Sequence, residues 1–215
     1  MNASLRALCL LSALALPAAL SGTGALALAT ESEPSETSTE ALVGGGEEPR
    51  PTEVAGCKLV PKAVCPNLDL RHRNLRNIDL GGADLRGANL MRADLRHANL
   101  RNADLRGAIL DAADLRTAFL QNAKLEGARM RGANLEQARA SGADFRHTDL
   151  TAASLEAIKA DKADLTGANL EGADLQEAKL ANTNLSGAVM EGTKIRFAIF
   201  QGALMDNCRG CPTDW

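Results

Sequence analysis

Four cysteines are the residues of this 215-residue chain whose types and spacing most directly indicate chemistry. Cys57 and Cys65 lie in the first third of the chain, and Cys208 and Cys211 form a Cys-Arg-Gly-Cys motif near its end. Such spacings occur in thiol–disulfide redox sites, in structural disulfides and in zinc sites. No alternation of helical and strand patterns accompanies the motif, and no histidine is near enough in sequence to complete a zinc site. We therefore expect structural disulfides rather than redox catalysis or metal binding.

Carboxylates are the second candidate for chemistry, because paired carboxylates perform acid and base catalysis. They recur at one position of a repeating pattern, which includes Asp84, Asp94, Asp104, Asp114, Asp144, Asp164 and Asp174. This recurrence favours hydrogen bonds to the backbone at bends over catalysis. His72, His97 and His147 are too scattered to indicate a metal cluster. No nucleophile has a base at motif spacing, so the sequence predicts no enzyme, no catalytic residue and no cofactor.

These residues are positioned by a five-residue repeat that runs without interruption from residue 68 to 207, in 28 units. The central residue of each unit is small or apolar, and it is Leu in 20 of the 28. The residue two places earlier is nearly always Ala from Ala83 onward, and Asp or Asn often stands between the two, as in Ala83-Asp84-Leu85. The last two residues of each unit are mostly polar or Gly, which indicates a bend.

A period of five residues fits neither a single helix nor a flat strand. In an α-helix a step of five residues rotates the side chain by about 140°, which spreads the leucines around the whole cylinder. In a flat strand residues five apart face opposite sides. The pattern is satisfied when each unit ends in a bend that returns the central residue, and the one two places before it, to the interior. Such repetition predicts a solenoid.

Tandem Ala-Asp/Asn-Leu-x-x units resemble the pentapeptide-repeat family over residues 68–207. The resemblance implies an all-β fold, a right-handed quadrilateral parallel β-helix with four units per coil. A 20-residue superperiod agrees with this, since the last place of every fourth unit reads Gly87, Gly107, Gly127, His147, Gly167 and Gly187. Sorting the units by 20 residues gives about seven coils, and at the usual spacing between strands these make a rod roughly 34 Å long.

Composition divides the rest of the chain. Residues 1–29 are predicted to be a secretory signal peptide, with an apolar run and a small-x-small pattern before the cleavage site. The alternative is that this segment is retained as a membrane anchor. Residues 30–56 are rich in Glu, Ser, Thr, Pro and Gly, which predicts a disordered acidic linker. Residues 57–67 are assigned to an N-terminal cap and residues 208–215 to a C-terminal cap or tail. We therefore expect a secreted or periplasmic protein without stable membrane insertion after cleavage.

The length of the rod separates the two groups of cysteines, because a disulfide needs Cα atoms within about 7 Å. We expect Cys57 to pair with Cys65 and close the N-terminal cap. Cys208 and Cys211 are expected to form a small structural loop, with thiol exchange as the alternative.

One weak point is expected in the core. Ala140 and Ala160 replace the central Leu on the same side of adjacent coils, which leaves a void unless another side chain fills it. Ile158 on that side is expected to fill part of the lost volume, so it must point inward.

The outward positions carry ordered charge. Five arginines form the candidate partner-binding face: Arg76, Arg96 and Arg116 on one side, and Arg86 and Arg106 on another. The alternative is an ordinary solvated surface. Near the end of the rod, four residues are apolar at places that normally face outward: Val189, Phe197, Ile199 and Leu204. They indicate either packing of the cap or an end-to-end homodimer.

The balance of 24 basic and 27 acidic residues indicates neither a nucleic-acid binder nor a membrane-surface binder. The sequence therefore predicts a non-catalytic secreted or periplasmic scaffold with a structural or protein-interaction role and an unknown protein partner. The resemblance alone implies an alternative, a DNA mimic that binds and inhibits a type II topoisomerase. The signal peptide and the arginine-rich first half of the rod argue against that alternative.

Overall fold

The computed structural model of this chain describes residues 52–213. The predicted signal peptide, most of the predicted linker and the last two residues lie outside this part. It begins with two short antiparallel strands, β1 (Glu53–Val54) and β2 (Cys57–Lys58). The two residues between them, Ala55 and Gly56, both have positive φ (48° and 78°), as a tight hairpin turn requires. This local turn places the start of the N-terminal cap at Glu53, inside the segment that composition assigns to the linker.

Isolated parallel bridges then connect residues 20 positions apart, from Val64–Asp84 to Val189–Arg209. They form four columns, each along one side of the coil. We call these face 1 (every twentieth residue from 64 to 204), face 2 (69 to 209), face 3 (74 to 194) and face 4 (79 to 199). Four five-residue units therefore make one coil, in agreement with the 20-residue superperiod.

Each unit ends in a turn that fixes the corner of the coil. The amide of Ala88 donates to the carbonyl of Leu85 at 3.0 Å, and the same three-residue step recurs along the chain. One residue of every turn has positive φ, for example 66° at Gly87 and 56° at Asn102. Gly adopts this conformation at no steric cost and Asn at little cost, which explains why both are frequent at this position of the repeat.

Leucine and alanine fill the interior in alternating inward positions. Leu85 and Ala83 are fully buried, and so are their equivalents in most coils. Thr148 and Thr183 replace the Ala at two buried places, and each hydroxyl donates to the carbonyl three residues earlier, at 2.7 and 2.6 Å. The hydroxyl groups are therefore satisfied without water.

The expected weak point of the core lies on face 4. Ala140 and Ala160 flank the bridge residues Arg139 and Lys159 and are both buried. Ile158 is 0 % exposed. The prediction that Ile158 points inward beside the two alanines is therefore confirmed.

Both ends carry a cysteine pair at disulfide distance, with Cα atoms 6.0 Å apart for Cys57–Cys65 and 5.8 Å apart for Cys208–Cys211. At the C-terminal end the loop lies directly on the last full coil, since a Cβ on Gly210 would come within 2.8 Å of the Glu191 amide nitrogen. Within residues 52–213, no helix is long and apolar enough to cross a membrane.

Candidate functional site

Outward aspartates lie at bridge positions on all four faces, and many of their carboxylates accept a hydrogen bond from the backbone amide two residues further on. Asp84 Oδ1 accepts a hydrogen bond from the Arg86 amide at 3.2 Å, and Asp94 Oδ1 accepts one from the Arg96 amide at 3.2 Å. The same contact is made by Asp104, Asp114, Asp144, Asp164 and Asp174. The recurring carboxylates therefore hold the turns that follow them, as their regular position predicts.

An arginine two residues after the aspartate often forms a two-pronged ion pair with it. Arg86 Nε lies 2.8 Å from Asp84 Oδ1, and Arg86 Nη2 lies 2.7 Å from Asp84 Oδ2. The pairs Arg96–Asp94, Arg106–Asp104, Arg116–Asp114 and Arg146–Asp144 have the same geometry. The hydrogen bond from Arg86 holds the pKa of the Asp84 carboxyl below its usual range. Much of the positive charge on these arginines is therefore neutralised within the same unit.

Three arginines of successive coils form a groove at the corner between faces 3 and 4. This open groove of about 270 Å³, which we call the arginine groove, is lined by Arg76, Arg96, Arg116, His97, Thr117, Glu136 and Gln137. The Thr117 hydroxyl lies 2.6 Å from His97 Nδ1, which joins two coils along its wall. Guanidinium groups held in a row can bind carboxylates through two parallel hydrogen bonds.

Charge is distributed unevenly along the arginine groove. Arg96 contacts Asp94 of its own unit and also approaches Asp114 Oδ2 of the next coil at 3.5 Å. The pKa of the Asp94 carboxyl is lowered by the hydrogen bond from Arg96 and, to a smaller degree, by the charge of Arg76 in the preceding coil. Glu136 lines the opposite end. The groove therefore runs from an end lined by arginines to an end that carries a carboxylate.

The five arginines named as the candidate partner-binding face belong to two separate corners. Arg86 and Arg106 follow face 1, whereas the arginine groove follows face 3. These two corners are diagonally opposite on a four-sided coil, so one flat partner cannot contact both sets. The sequence predicts that the two sets of arginines lie on different sides of the coil, but only the order of the faces shows that they lie at opposite corners.

Face 4 carries a cationic column that the sequence reasoning missed. Arg139, Lys159 and Lys179 follow one another at bridge positions of successive coils, and all three side chains are exposed. No salt bridge is formed by any of them within the described part of the chain. The guanidiniums of Arg101 and Arg139 both approach the Phe119 ring, at 4.3 and 5.2 Å from its centre. Sorting the outward residues by 20 is the signal that reveals this column.

The histidines are not brought together. His72, His97 and His147 all occupy turn positions with positive φ, at corners after faces 2, 3 and 1 respectively. Among residues 52–213 no group of three His, Cys, Asp or Glu side chains has a geometry suited to a metal ion.

A four-sided parallel coil made of five-residue units, with Leu and Ala inside and Asp or Asn outside, defines the class of this protein. Its sequence matches eight copies of the family model described as "Pentapeptide repeats". The matched residues are 67–100, 74–111, 88–132, 118–156, 128–167 and 173–209. The chain therefore belongs to the pentapeptide-repeat family, whose members are generally non-catalytic.

Two solved structures place the chain among related folds. It is similar to HetL from Nostoc sp. strain PCC 7120, a pentapeptide repeat protein involved in the regulation of heterocyst differentiation. The identity is 30%, the match covers 69% of this chain and 76% of that chain, and the TM-score is 0.51. It is also similar to QnrB1, a plasmid-mediated fluoroquinolone resistance protein, at 18% identity over 71% of this chain and 74% of that chain, with a TM-score of 0.57. The second likeness concerns the fold alone. A search of curated proteins gave no match.

Proposed function

We propose that this protein is a non-catalytic, secreted or periplasmic scaffold that binds a protein partner through the arginine groove. The proposal includes the right-handed winding and the approximately seven coils that the resemblance and the 20-residue period predict. Stacked coils hold outward side chains at a constant spacing, so a rigid partner surface can be matched over several coils at once.

The observation that carries this proposal is the alignment of Arg76, Arg96 and Arg116 in one groove. Exposed like charges in adjacent coils repel one another, and here Asp94 and Asp114 offset most of that repulsion. The arginines favour an acidic side chain of the partner, while Glu136 at one end of the groove favours a basic one. This polarity gives a partner one preferred orientation along the groove.

A DNA mimic that inhibits a type II topoisomerase is the weaker reading. Mimicry of duplex DNA needs rows of unpaired negative charge, whereas the carboxylates of Asp84, Asp94 and Asp104 are each covered by an arginine. The likeness to QnrB1 is one of fold at 18% identity and carries no argument about a shared target.

A pull-down with the mature full-length chain tests the proposal. The variant in which Arg76, Arg96 and Arg116 are changed to Gln should lose the partner, because it removes the guanidinium forks without adding charge. Changing Arg86 and Arg106 to Gln at the opposite corner is the matched control, and it should retain the partner. Equal recovery with both variants, at equal thermal stability, would remove the arginine groove from consideration.

Cell fractionation and N-terminal sequencing of the native protein test the proposed compartment. We expect a mature N-terminus near residue 30 in the secreted or periplasmic fraction. Recovery of the intact N-terminus in the cytoplasm would overturn the secreted scaffold and reopen the topoisomerase alternative.

A further inference from the structure

The cationic column of face 4 is a row of exposed like charges that the rest of the molecule leaves uncompensated. Arg139, Lys159 and Lys179 stand at the bridge positions of three successive coils, and each of these residues is exposed. The bridge neighbours of the column are themselves uncharged, with Phe119 before its first member and Ile199 after its last. No salt bridge joins a member of the column to a carboxylate within residues 52–213.

Other outward cations obtain a carboxylate in one of two ways. An arginine at a turn can pair with the bridge aspartate two residues earlier, as Arg106 does with Asp104 at 2.6 Å. A cation at a bridge position can pair with a carboxylate of an adjacent coil, as Lys194 does with Asp174 at 3.1 Å. The column obtains neither, because cations occupy its bridge positions in three coils in a row. Like charges in layers about 4.8 Å apart repel one another, and a bound anion would relieve that repulsion.

The column is one cation wide, because carboxylates border it. Glu136, Glu156 and Glu177 occupy turn positions at the corner between faces 3 and 4, just before the members of the column. Asp161 and Lys162 form the turn after the middle member, at the corner between faces 4 and 1. A ligand on the column therefore meets a single row of positive charge with hydrogen-bond acceptors along its margin.

The row is held in place from below. The guanidinium groups of Arg101 and Arg139 lie 4.3 and 5.2 Å from the centre of the Phe119 ring, and cation–π attraction restrains both. The amides of Lys159 and Lys179 donate to carbonyls of the preceding coil at 2.9 and 2.8 Å. The backbone therefore fixes the spacing of the cations, which lowers the entropy cost of binding a ligand with regularly repeated charges.

Spacing and margins decide which kind of anion fits the column. An extended acidic peptide presents side chains of one side about 6.6 Å apart, twice the rise of a strand, which does not match layers about 4.8 Å apart. An anionic membrane surface would press its head groups against Glu156 and Glu177 as well as against the cations. A thin chain of sugars avoids both conflicts, because its acid groups can reach the cations while its hydroxyl groups donate to the carboxylates at the margin.

We propose that face 4 binds a linear polysaccharide that carries carboxylate groups and lies along the axis of the coils. Arg139 donates two parallel hydrogen bonds to one acid group, and Lys159 and Lys179 bind as point charges. Arg139 and Lys179 are two layers apart, about 9.6 Å, which is close to the length of a disaccharide in an extended chain. Acid groups of alternate sugars can therefore meet both cations. The inference does not rest on the proposed function, because none of the arginines of the groove belongs to this surface.

Binding of a fluorescent oligogalacturonate to the mature full-length chain, followed by fluorescence anisotropy, tests the proposal. Changing Arg139, Lys159 and Lys179 together to Gln should weaken binding by roughly tenfold or more, because three exposed ion contacts are lost. Binding of the wild-type chain should also weaken as the salt concentration rises.

A matched control removes the same charge from other sides of the coil. Arg92, Lys124 and Arg209 are exposed and lie outside face 4, and changing all three to Gln should alter the affinity by no more than about twofold. Circular dichroism and urea unfolding of both triple variants check that the fold is retained. Equal affinities of the two triple variants would overturn the proposal, and so would a wild-type chain that does not bind.

A second set of ligands tests the chemical class. Methyl-esterified oligogalacturonate has the same backbone without the charge, and it should bind at least roughly tenfold more weakly than the free acid. Polyglutamate that binds as tightly as oligogalacturonate would assign the column to an acidic peptide instead. Phosphatidylglycerol vesicles that bind the wild-type chain but not the variant of the column, while oligogalacturonate binds neither, would assign it to a membrane surface. Either of these two results would overturn the polysaccharide.

Discussion

Replacing Ile158 with Ala should be among the most destabilising single substitutions on face 4. The side chain is fully buried, and Ala140 and Ala160 stand beside it where other coils have Leu. Three methylene equivalents at about 0.8 kcal/mol each give roughly 2.4 kcal/mol. The cavity adds to this because neighbouring alanines have no atoms with which to fill it, so we expect a loss of about 3 to 4 kcal/mol in the free energy of unfolding.

A second substitution tests whether Ile158 compensates for the missing leucine. In the wild-type background Ala160→Leu should cost about 1 to 3 kcal/mol, because the site has little free volume. In the Ile158→Ala background the same change should stabilise, since the added side chain occupies the new void. The double-mutant cycle should therefore give a coupling of at least about 1 kcal/mol.

Equilibrium unfolding in urea, followed by far-ultraviolet circular dichroism, measures these differences. Ile78→Ala is the matched control, because Ile78 holds the same position on face 4 beside Leu80 and is 9% exposed. Ala160→Leu combined with Ile78→Ala should be additive within about 0.5 kcal/mol, since the two sites lie several coils apart. Additivity of the Ile158 and Ala160 changes as well would refute the idea that Ile158 fills the space left by the alanines.

Three further outcomes follow from the ends and the ion pairs. Gly210→Ala should destabilise the C-terminal cap more than Gly107→Ala destabilises its turn. Both glycines have positive φ, but only at Gly210 would an added Cβ press against the backbone. Differential scanning calorimetry of the two variants measures the difference. Cys57→Ser should lower the free energy of unfolding by about 2.5 kcal/mol through loss of a short closed loop, as urea titration with and without reductant will show. The hydrogen bond from Arg71 lowers the pKa of Asp69 from 3.8 to about 2. The Asp69 carboxylate therefore adds to the free energy of unfolding above about pH 4, and this contribution is lost as the pH falls toward about 2. Asp69→Asn should flatten that part of a plot of the free energy of unfolding against pH.

The coil could be predicted from the sequence because every fifth residue repeats the same burial pattern. A Leu at the centre and an Ala two places earlier leave only one arrangement in which both point inward, and glycine every 20 residues fixes the number of sides. The inward position of Ile158 could be predicted for the same reason, since the 20-residue period assigns each residue number to one face. The hairpin that begins at Glu53 could not be predicted from the sequence, because it depends on one local turn within a segment of linker-like composition.

The character of the surface was harder to predict than the core. Counting arginines indicated a basic face, but charge depends on contacts, and the carboxylate two residues before Arg86 or Arg106 neutralises it. The column formed by Arg139, Lys159 and Lys179 was missed because its members are dispersed along the chain and become neighbours only through the bridges. Outward side chains are not constrained by packing, so the repeat gives their positions without giving their interactions.

The connection between residue number and face has a consequence for insertions and deletions. An added segment of 20 residues lengthens the solenoid by one layer of about 4.8 Å and leaves every later residue on its original face. An added segment of five residues preserves the core just as well but turns the remainder of the molecule by a quarter, which moves each later surface group to the next side. Such a change alters what the protein presents to its surroundings while Leu and Ala keep their inward positions. Duplication of a single unit is therefore a route by which this architecture acquires new binding surfaces, because existing side chains move to new faces.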